Sequence, residues 1–404
     1  MRLEILNLKP TIGRLKVIAT ISSVRSFKYV VIIASIALAS TVFVGTETKA
    51  LSLHDSASWK PELGFNVVLG DNQILSDSHE LSQAKAVFSY AASLGANSVI
   101  LNFNFYQTGQ TPSNPAQNSD TMSSGPGTPS PELLTAIVES ARAIGLQVQL
   151  RPVLSQEGDV FGVANRSSIE PNQPSKWFQS YAKWLRPYLY VASKTGVSSF
   201  CLGTEMSSLV SGRRANSGAT QNFLPEWLKL TQMASSIFHG NLLYAASHAS
   251  SATVPGILFG FDAYSKIALP TGTTDPTSST PLSTVVSEFL PGLTTNYALE
   301  TAGVPSQTRV EEIGIPAEVG SWLTPSFYSY YPVVVARWVQ EAWITANCNV
   351  MISNRMKGFY IWAIDLQGFS PSYNADVAND PYNFIGTATE NSIRSCFAAA
   401  KSAA

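Results

Sequence analysis

Cysteine is scarce in this chain, with three in 404 residues (Cys201, Cys348 and Cys396), so no disulfide framework holds the fold together. Neither a Cys-x-x-Cys nor a His-x-x-x-His spacing occurs, which argues against a structural metal, and no metal or organic cofactor is expected. The Gly-x-Gly-x-x-Gly turn of a dinucleotide site, a Walker loop and a Gly-x-Ser-x-Gly elbow are all missing. No stretch sustains a heptad, which excludes a coiled coil. Charge is sparse as well, at 13% of residues against 45% apolar, enough apolar residues to build a sizeable core. The net charge is −1, but residues 1–50 carry seven basic side chains against two acidic ones, so the remainder carries −6. An acidic body does not suit nucleic acid, whose phosphates need a basic face.

What is present begins with Tyr29–Gly45, an uncharged run behind a basic stretch and followed by Thr48-Lys49-Ala50. That is the pattern of a secretory signal, and the run is also close to the length that spans a bilayer. Residues 1–50 are therefore expected to be a signal peptide or a retained membrane anchor, and residues 51–404 an exported domain, periplasmic or extracellular. Cys201 sits in an apolar run and reads as a small buried hydrophobe. Cys348 and Cys396 close two helical segments and are free either to pair or to stay reduced.

After residue 60, short apolar runs alternate with longer amphipathic ones, the pattern of parallel strands joined by crossover helices. The runs predict eight strands: 64–69, 98–104, 147–152, 199–203, 242–246, 258–264, 314–319 and 358–364. Helices are expected at 78–94, 131–144, 176–194, 224–238, 282–299, 329–347 and 390–400, with the connection at 248–256 too short for one. Eight such units predict a single closed (β/α)8 barrel, in which ligands bind at the C-terminal ends of the strands. The polar segments 108–130 and 271–280 then become long loops around an open cleft.

Two carboxylates directly follow apolar runs on that face. Glu205 closes the expected fourth strand and Glu318 the expected seventh, positions where charge is costly unless used or paired. Facing carboxylates are what glycosidic cleavage needs, one to protonate the leaving oxygen and one to act on the other side of the sugar. Each alone also fits a helix cap or a salt bridge. Tyr264, Trp362, Trp322 and Tyr106 offer faces for a pyranose, although for Trp322 alone core packing is the favoured role. Tyr264 is in addition a candidate hydrogen-bond donor to the Glu318 carboxylate. Asn102, Asn104, Arg151 and Asp365 are further polar candidates for substrate binding, and Arg151 equally fits a structural cation. His248 is a weaker substrate contact.

The stretches Ser98-Val-Ile-Leu-Asn-Phe-Asn-Phe-Tyr-Gln, Ala143-Ile-Gly-Leu-Gln-Val-Gln-Leu-Arg-Pro, Gly203-Thr-Glu-Met, Gly260-Phe-Asp-Ala-Tyr and Ala317-Glu-Val-Gly are fairly specific together. Through them, residues 62–364 resemble glycoside hydrolase family 113, retaining β-mannanase-like (β/α)8 enzymes of clan A. The resemblance implies Glu205 as acid/base, Glu318 as nucleophile, Tyr264 as the phenol beside it and Trp362 as a platform under the reacting sugar. Arg151-Pro152-Val153 departs from a Lys-Pro-His-like ending, and the segment between the fifth and sixth strands is short for the family. The reading is a retaining glycosidase acting on a β-linked polysaccharide, mannan-like. The competing one is a barrel that binds polysaccharide without cutting it, accessory to exopolysaccharide export or remodelling. Oligomeric state is not legible.

Overall fold

A computed structural model describes residues 59–70, 77–107, 121–156, 166–171, 173–212, 220–247, 254–301, 304–327, 334–372 and 380–404. The run at 29–45, His248 and most of the 108–130 loop lie outside the described residues. Eight parallel strands form the barrel: β1 (Glu62–Val68), β2 (Ser98–Gln107), β4 (Gln147–Gln156), β5 (Ser199–Thr204), β6 (Asn241–Ala246), β7 (Leu258–Asp262), β8 (Arg309–Ile313) and β9 (Gly358–Asp365). The two-residue β3 (Met122–Ser123) adds antiparallel to the end of β2. Each barrel strand pairs with its successor, and β1 pairs with both β2 and β9, which closes the ring. The expected (β/α)8 barrel is therefore the fold, and Ser58–Ala404 is one compact unit.

Helices cover the outside: α1 (Asp77–Ser93), α2 (Pro131–Ala143), α3 (Pro174–Thr195), the short α4 (Ser207–Ser211), α5 (Leu224–Ile237), α6 (Leu282–Glu300), α7 (Arg337–Ser353) and α8 (Thr389–Ser402). Their ends follow local chemistry. Ser130 caps α2 by accepting from Leu133 N at 3.1 Å, with Pro131 placed where no donor is needed. Gly196 ends α3 in the left-handed conformation, φ 65°. One boundary departs clearly from expectation: the helix predicted at 329–347 runs, among the described residues, from Arg337 to Ser353.

The apolar core lies between sheet and helices. Phe65, Val67, Val99, Leu101, Val148 and Leu150 point outward from the strands, toward Phe88, Leu134, Ile137 and Leu185. The barrel interior is different, since its lower layers hold a charged network. Arg309 reaches Glu62 Oε2 at 2.8 Å, Glu311 Oε1 at 2.9 Å, Ser199 Oγ at 2.9 Å and the Tyr360 hydroxyl at 2.8 Å. Gln149 bonds both Arg309 and Glu311. The space is tight: a Cβ on Gly260 would stand 2.4 Å from Glu311 Cγ, and one on Gly64 2.0 Å from Ser98 O. Removing one partner of so buried an ion pair costs about 3–5 kcal/mol.

That polar interior explains the one misplaced strand. The seventh strand is Arg309–Ile313, not 314–319. Arg309, Glu311 and Glu312 look like a surface segment in sequence but point into the barrel or its mouth. The apolar Gly314-Ile315-Pro316-Ala317 run that resembles a strand instead lies in the loop that follows it, where Pro316 contributes no ladder donor.

Candidate active site

Glu205 follows the last residue of β5 with φ 52°, a left-handed conformation that costs a non-glycine residue about 1–2 kcal/mol. Its amide donates to Ala245 O at 2.7 Å and its carbonyl accepts from Ser207 N at 2.9 Å, which fixes the turn off the strand. Two N–H groups of Arg166, in the connection after β4, contact Glu205 Oε2 at 3.0 and 2.6 Å. The Oε1 atom of Glu205 makes no hydrogen bond to a described residue.

Across the mouth, the correction to the seventh strand changes which carboxylate faces this group. Glu312, the penultimate residue of β8, accepts from the Tyr264 hydroxyl at 3.0 Å through Oε2 and pairs with Arg151 Nη1 at 2.7 Å through Oε1. Burial pushes the Glu312 carboxyl above its ordinary range; Arg151 opposes that shift, the nearby Glu205 adds to it, and Arg166 and the Tyr264 hydrogen bond oppose it. Burial, and then Glu312, likewise push the Tyr264 phenol up. Glu318 lies in a half-buried turn beyond the strand, its amide donating to Pro316 O at 2.8 Å and its carbonyl accepting from Ser321 Oγ at 2.8 Å. The carboxylate at the end of the seventh strand is thus Glu312.

Arg151, fully buried on β4, is the hub of the site. Besides Glu312 it contacts Asp262 Oδ2 at 2.9 Å, Thr204 Oγ1 at 3.2 Å and Asn66 Oδ1 at 3.5 Å. Burial alone would lower the guanidinium's pKa, but Asp262 and Glu312 hold it firmly charged. Asn102 joins this group through Asn66, to which it donates at 3.0 Å.

The other sequence candidates separate. Trp362 is half-buried in β9 and, with Asp365, lines a cavity of about 290 Å³ completed by Gln367, Phe369, Asp380 and Tyr382. The Trp362–Ala363 peptide is cis. Asn104 is tied to the loop after β3: its amide donates to Gly127, as its carbonyl accepts from Thr128 Oγ1. The Tyr106 hydroxyl donates to Pro126 O at 2.6 Å, so the ring braces the same loop. Trp322, 2% exposed against Phe289 with centroids 5.5 Å apart, is a core residue and not a sugar platform. A second cavity, about 420 Å³, lies beside α4 and α5 and contains none of these carboxylates. Sequence reasoning missed Glu312, Asp262 and Arg166. The signal for Glu312 was its place in Glu312-Ile313-Gly314, a carboxylate at the end of a charged run that had no outward helix pattern.

A profile of Glycoside Hydrolase Family 113 matches residues 75–386, which spans every barrel strand except the first. The chain belongs to glycoside hydrolase family 113. As a member of that family it is a glycoside hydrolase. Among solved structures it is similar to the GH113 β-mannanase AaManA from Alicyclobacillus acidocaldarius in complex with ManMIm, at TM-score 0.59 and 19% identity over 83% of this chain and 97% of that one. It is also similar to a GH113 β-1,4-mannanase in a complex structure, at TM-score 0.62 and 16% identity over 83% and 98%. At such identities these likenesses speak for the shared fold alone. No curated protein matches the chain.

Proposed function

We propose that this family 113 chain is a retaining β-mannanase in which Glu312 is the nucleophile and Glu205 the acid/base. The observation that carries the reading is the double engagement of Glu312 by Tyr264 Oη and Arg151 opposite Glu205. One oxygen is held by a neutral donor and the other by a fixed cation, so the carboxylate is aimed, and both contacts favour its ionised form against the burial that raises its pKa. In the first step a Glu312 oxygen bonds the anomeric carbon as the bond to the leaving oxygen breaks. That oxygen takes the proton of Glu205. In the second, Glu205 removes a proton from water, whose oxygen displaces Glu312 from the sugar. Arg166 occupies Oε2 of Glu205, which leaves Oε1 to face the glycosidic oxygen. The aromatic and amide-lined cavity at Trp362 suits a sugar ring beside the scissile bond. β-Mannan is the substrate favoured by the family and by the mannanases that share this fold. Export is favoured by the 29–45 run, and the Cys348–Cys396 disulfide suits an oxidising compartment.

The test uses the full chain with β-1,4-mannan and an activated aryl β-mannobioside. Wild type should release new reducing ends from mannan; a barrel that only binds would release none. Glu312→Ala should be inactive on both substrates and, with azide, form an α-configured glycosyl azide. Glu205→Ala should lose mannan cleavage, keep a first turnover on the aryl substrate, and with azide yield the β-configured product. The opposite pairing of variants and products would reverse the two roles.

A further inference from the structure

Resting on the reading of Glu312 as nucleophile, a second carboxylate deserves a role. Asp262 ends β7 and is the register neighbour of Glu312 on β8, strands that lie about 4.8 Å apart. It is 1% exposed, gives Oδ2 to Arg151 at 2.9 Å, and its Oδ1 is buried with no hydrogen-bond partner among the described residues. Two anions therefore share one buried guanidinium. An ion pair built only for stability would need one carboxylate on Arg151, and the orphaned Oδ1 is a cost that such a pair would avoid.

We propose that Asp262 is a positioning residue that acts on Glu312 through Arg151. Burial pushes the Asp262 carboxyl well above its ordinary range and Arg151, at 2.9 Å, opposes that shift; with both carboxylates ionised against the one guanidinium, the free trio carries one excess negative charge. That excess limits how far Arg151 quenches the nucleophile. When Glu312 becomes an ester it gives up its charge, and Arg151 would be left as a bare buried cation. Asp262 remains as its counter-ion, so the glycosyl-enzyme trio is neutral. Without the Asp262 charge the balance inverts: the free trio is neutral and the glycosyl-enzyme trio carries +1. Forming the ester is then disfavoured, while its breakdown, which regenerates an anion beside Arg151, is favoured. The charged and titratable groups facing the pair are Arg151 and Cys201 from β4 and β5, Glu205 and Arg166 above them, Tyr244 on β6, Tyr264 after β7 and Glu311 on β8.

The test is Asp262→Asn in the full chain with 2,4-dinitrophenyl β-mannobioside, following the pre-steady-state burst, kcat, kcat/KM and the pH profile. Removing a neighbouring anion lowers the Glu312 pKa, so the acidic limb of kcat/KM should move down by about one pH unit. Glycosylation should slow about tenfold or more, with the burst lost and kcat reduced less than kcat/KM. Asp262→Glu, which keeps the charge, should leave the limb in place; Asp262→Ser serves where the amide does not fold. An unmoved limb with kcat and kcat/KM falling together, burst retained, would make Asp262 a structural residue and overturn the inference. Glu312→Ala runs alongside: if it keeps its activity without azide, the nucleophile assignment fails, and this inference fails with it.

Discussion

Replacing Tyr264 by Phe removes a single hydroxyl, the one that donates to Glu312 Oε2 at 3.0 Å. A hydrogen bond to a charged group contributes about 1.5–3 kcal/mol, and one pH unit corresponds to about 1.4 kcal/mol, so the loss is worth about one to two units in the ionisation of Glu312. Burial already holds that carboxyl above its usual range, and the Tyr264 bond pulls it down. Without the bond the Glu312 pKa rises further, and the acidic limb of kcat/KM should move to higher pH, by about one unit once Arg151 readjusts. Below the limb the variant should be about ten- to hundredfold slower; well above it, the ionisation part of the deficit vanishes and only the misaimed carboxylate remains. Because the bond orients the nucleophile rather than the sugar, kcat should fall more than KM rises. The assay is initial-rate kinetics on an aryl β-mannobioside across the pH range. An acidic limb that stays in place, or moves down, would refute the assignment of Tyr264 to Glu312. The direction is opposite to that for Asp262→Asn, so the two variants test the same site with opposite signs.

Glu318→Gln should keep kcat/KM within a few-fold of wild type, since its turn lies beyond the seventh strand; a loss as complete as that of Glu312→Ala would restore it as the nucleophile. Cys348→Ser opens a loop of 48 residues between α7 and α8, which on chain-entropy arithmetic removes about 4 kcal/mol; denaturant unfolding of wild type with and without reductant should show the same difference, and overlapping curves would mean the bond contributes nothing.

The alternation of strands and helices was legible because the outward strand faces are apolar, and runs such as Ser98–Asn104 and Gln147–Pro152 sit within a residue or a few of β2 and β4. Glu205 was legible for the same reason, as a charge directly after an apolar strand. The seventh strand was hidden by its function in the interior. Its inward positions are Arg309 and Glu311, whose partners Glu62, Gln149 and Tyr360 come from strands between 51 and some 250 residues away in sequence, and no local pattern reports such pairing. With the strand misplaced by five residues, the nearest carboxylate after an apolar run became Glu318, and Glu312 was passed over. Tyr264 was named for the right interaction with the wrong partner. Trp322 packs in the core against Phe289, the role its sequence position favoured over a sugar face.

The seam of the barrel governs how the chain can be made. β1 finds one of its two neighbours at once, in β2, but the other is β9, and Trp59 bonds Met356 O across a separation of 297 residues. While synthesis proceeds from the N-terminus, β1 must wait with one edge unpaired until residues 358–365 have emerged, and the α8 contacts from Arg394 to Ser93 and Lys401 to Gly95 come later still. A chain that still lacks β9 leaves that edge of β1 without its native partner, and an unpaired edge invites pairing with other chains. Closure is an act of the completed polypeptide, and a truncation that removes β9 should leave an aggregating sheet instead of a smaller enzyme.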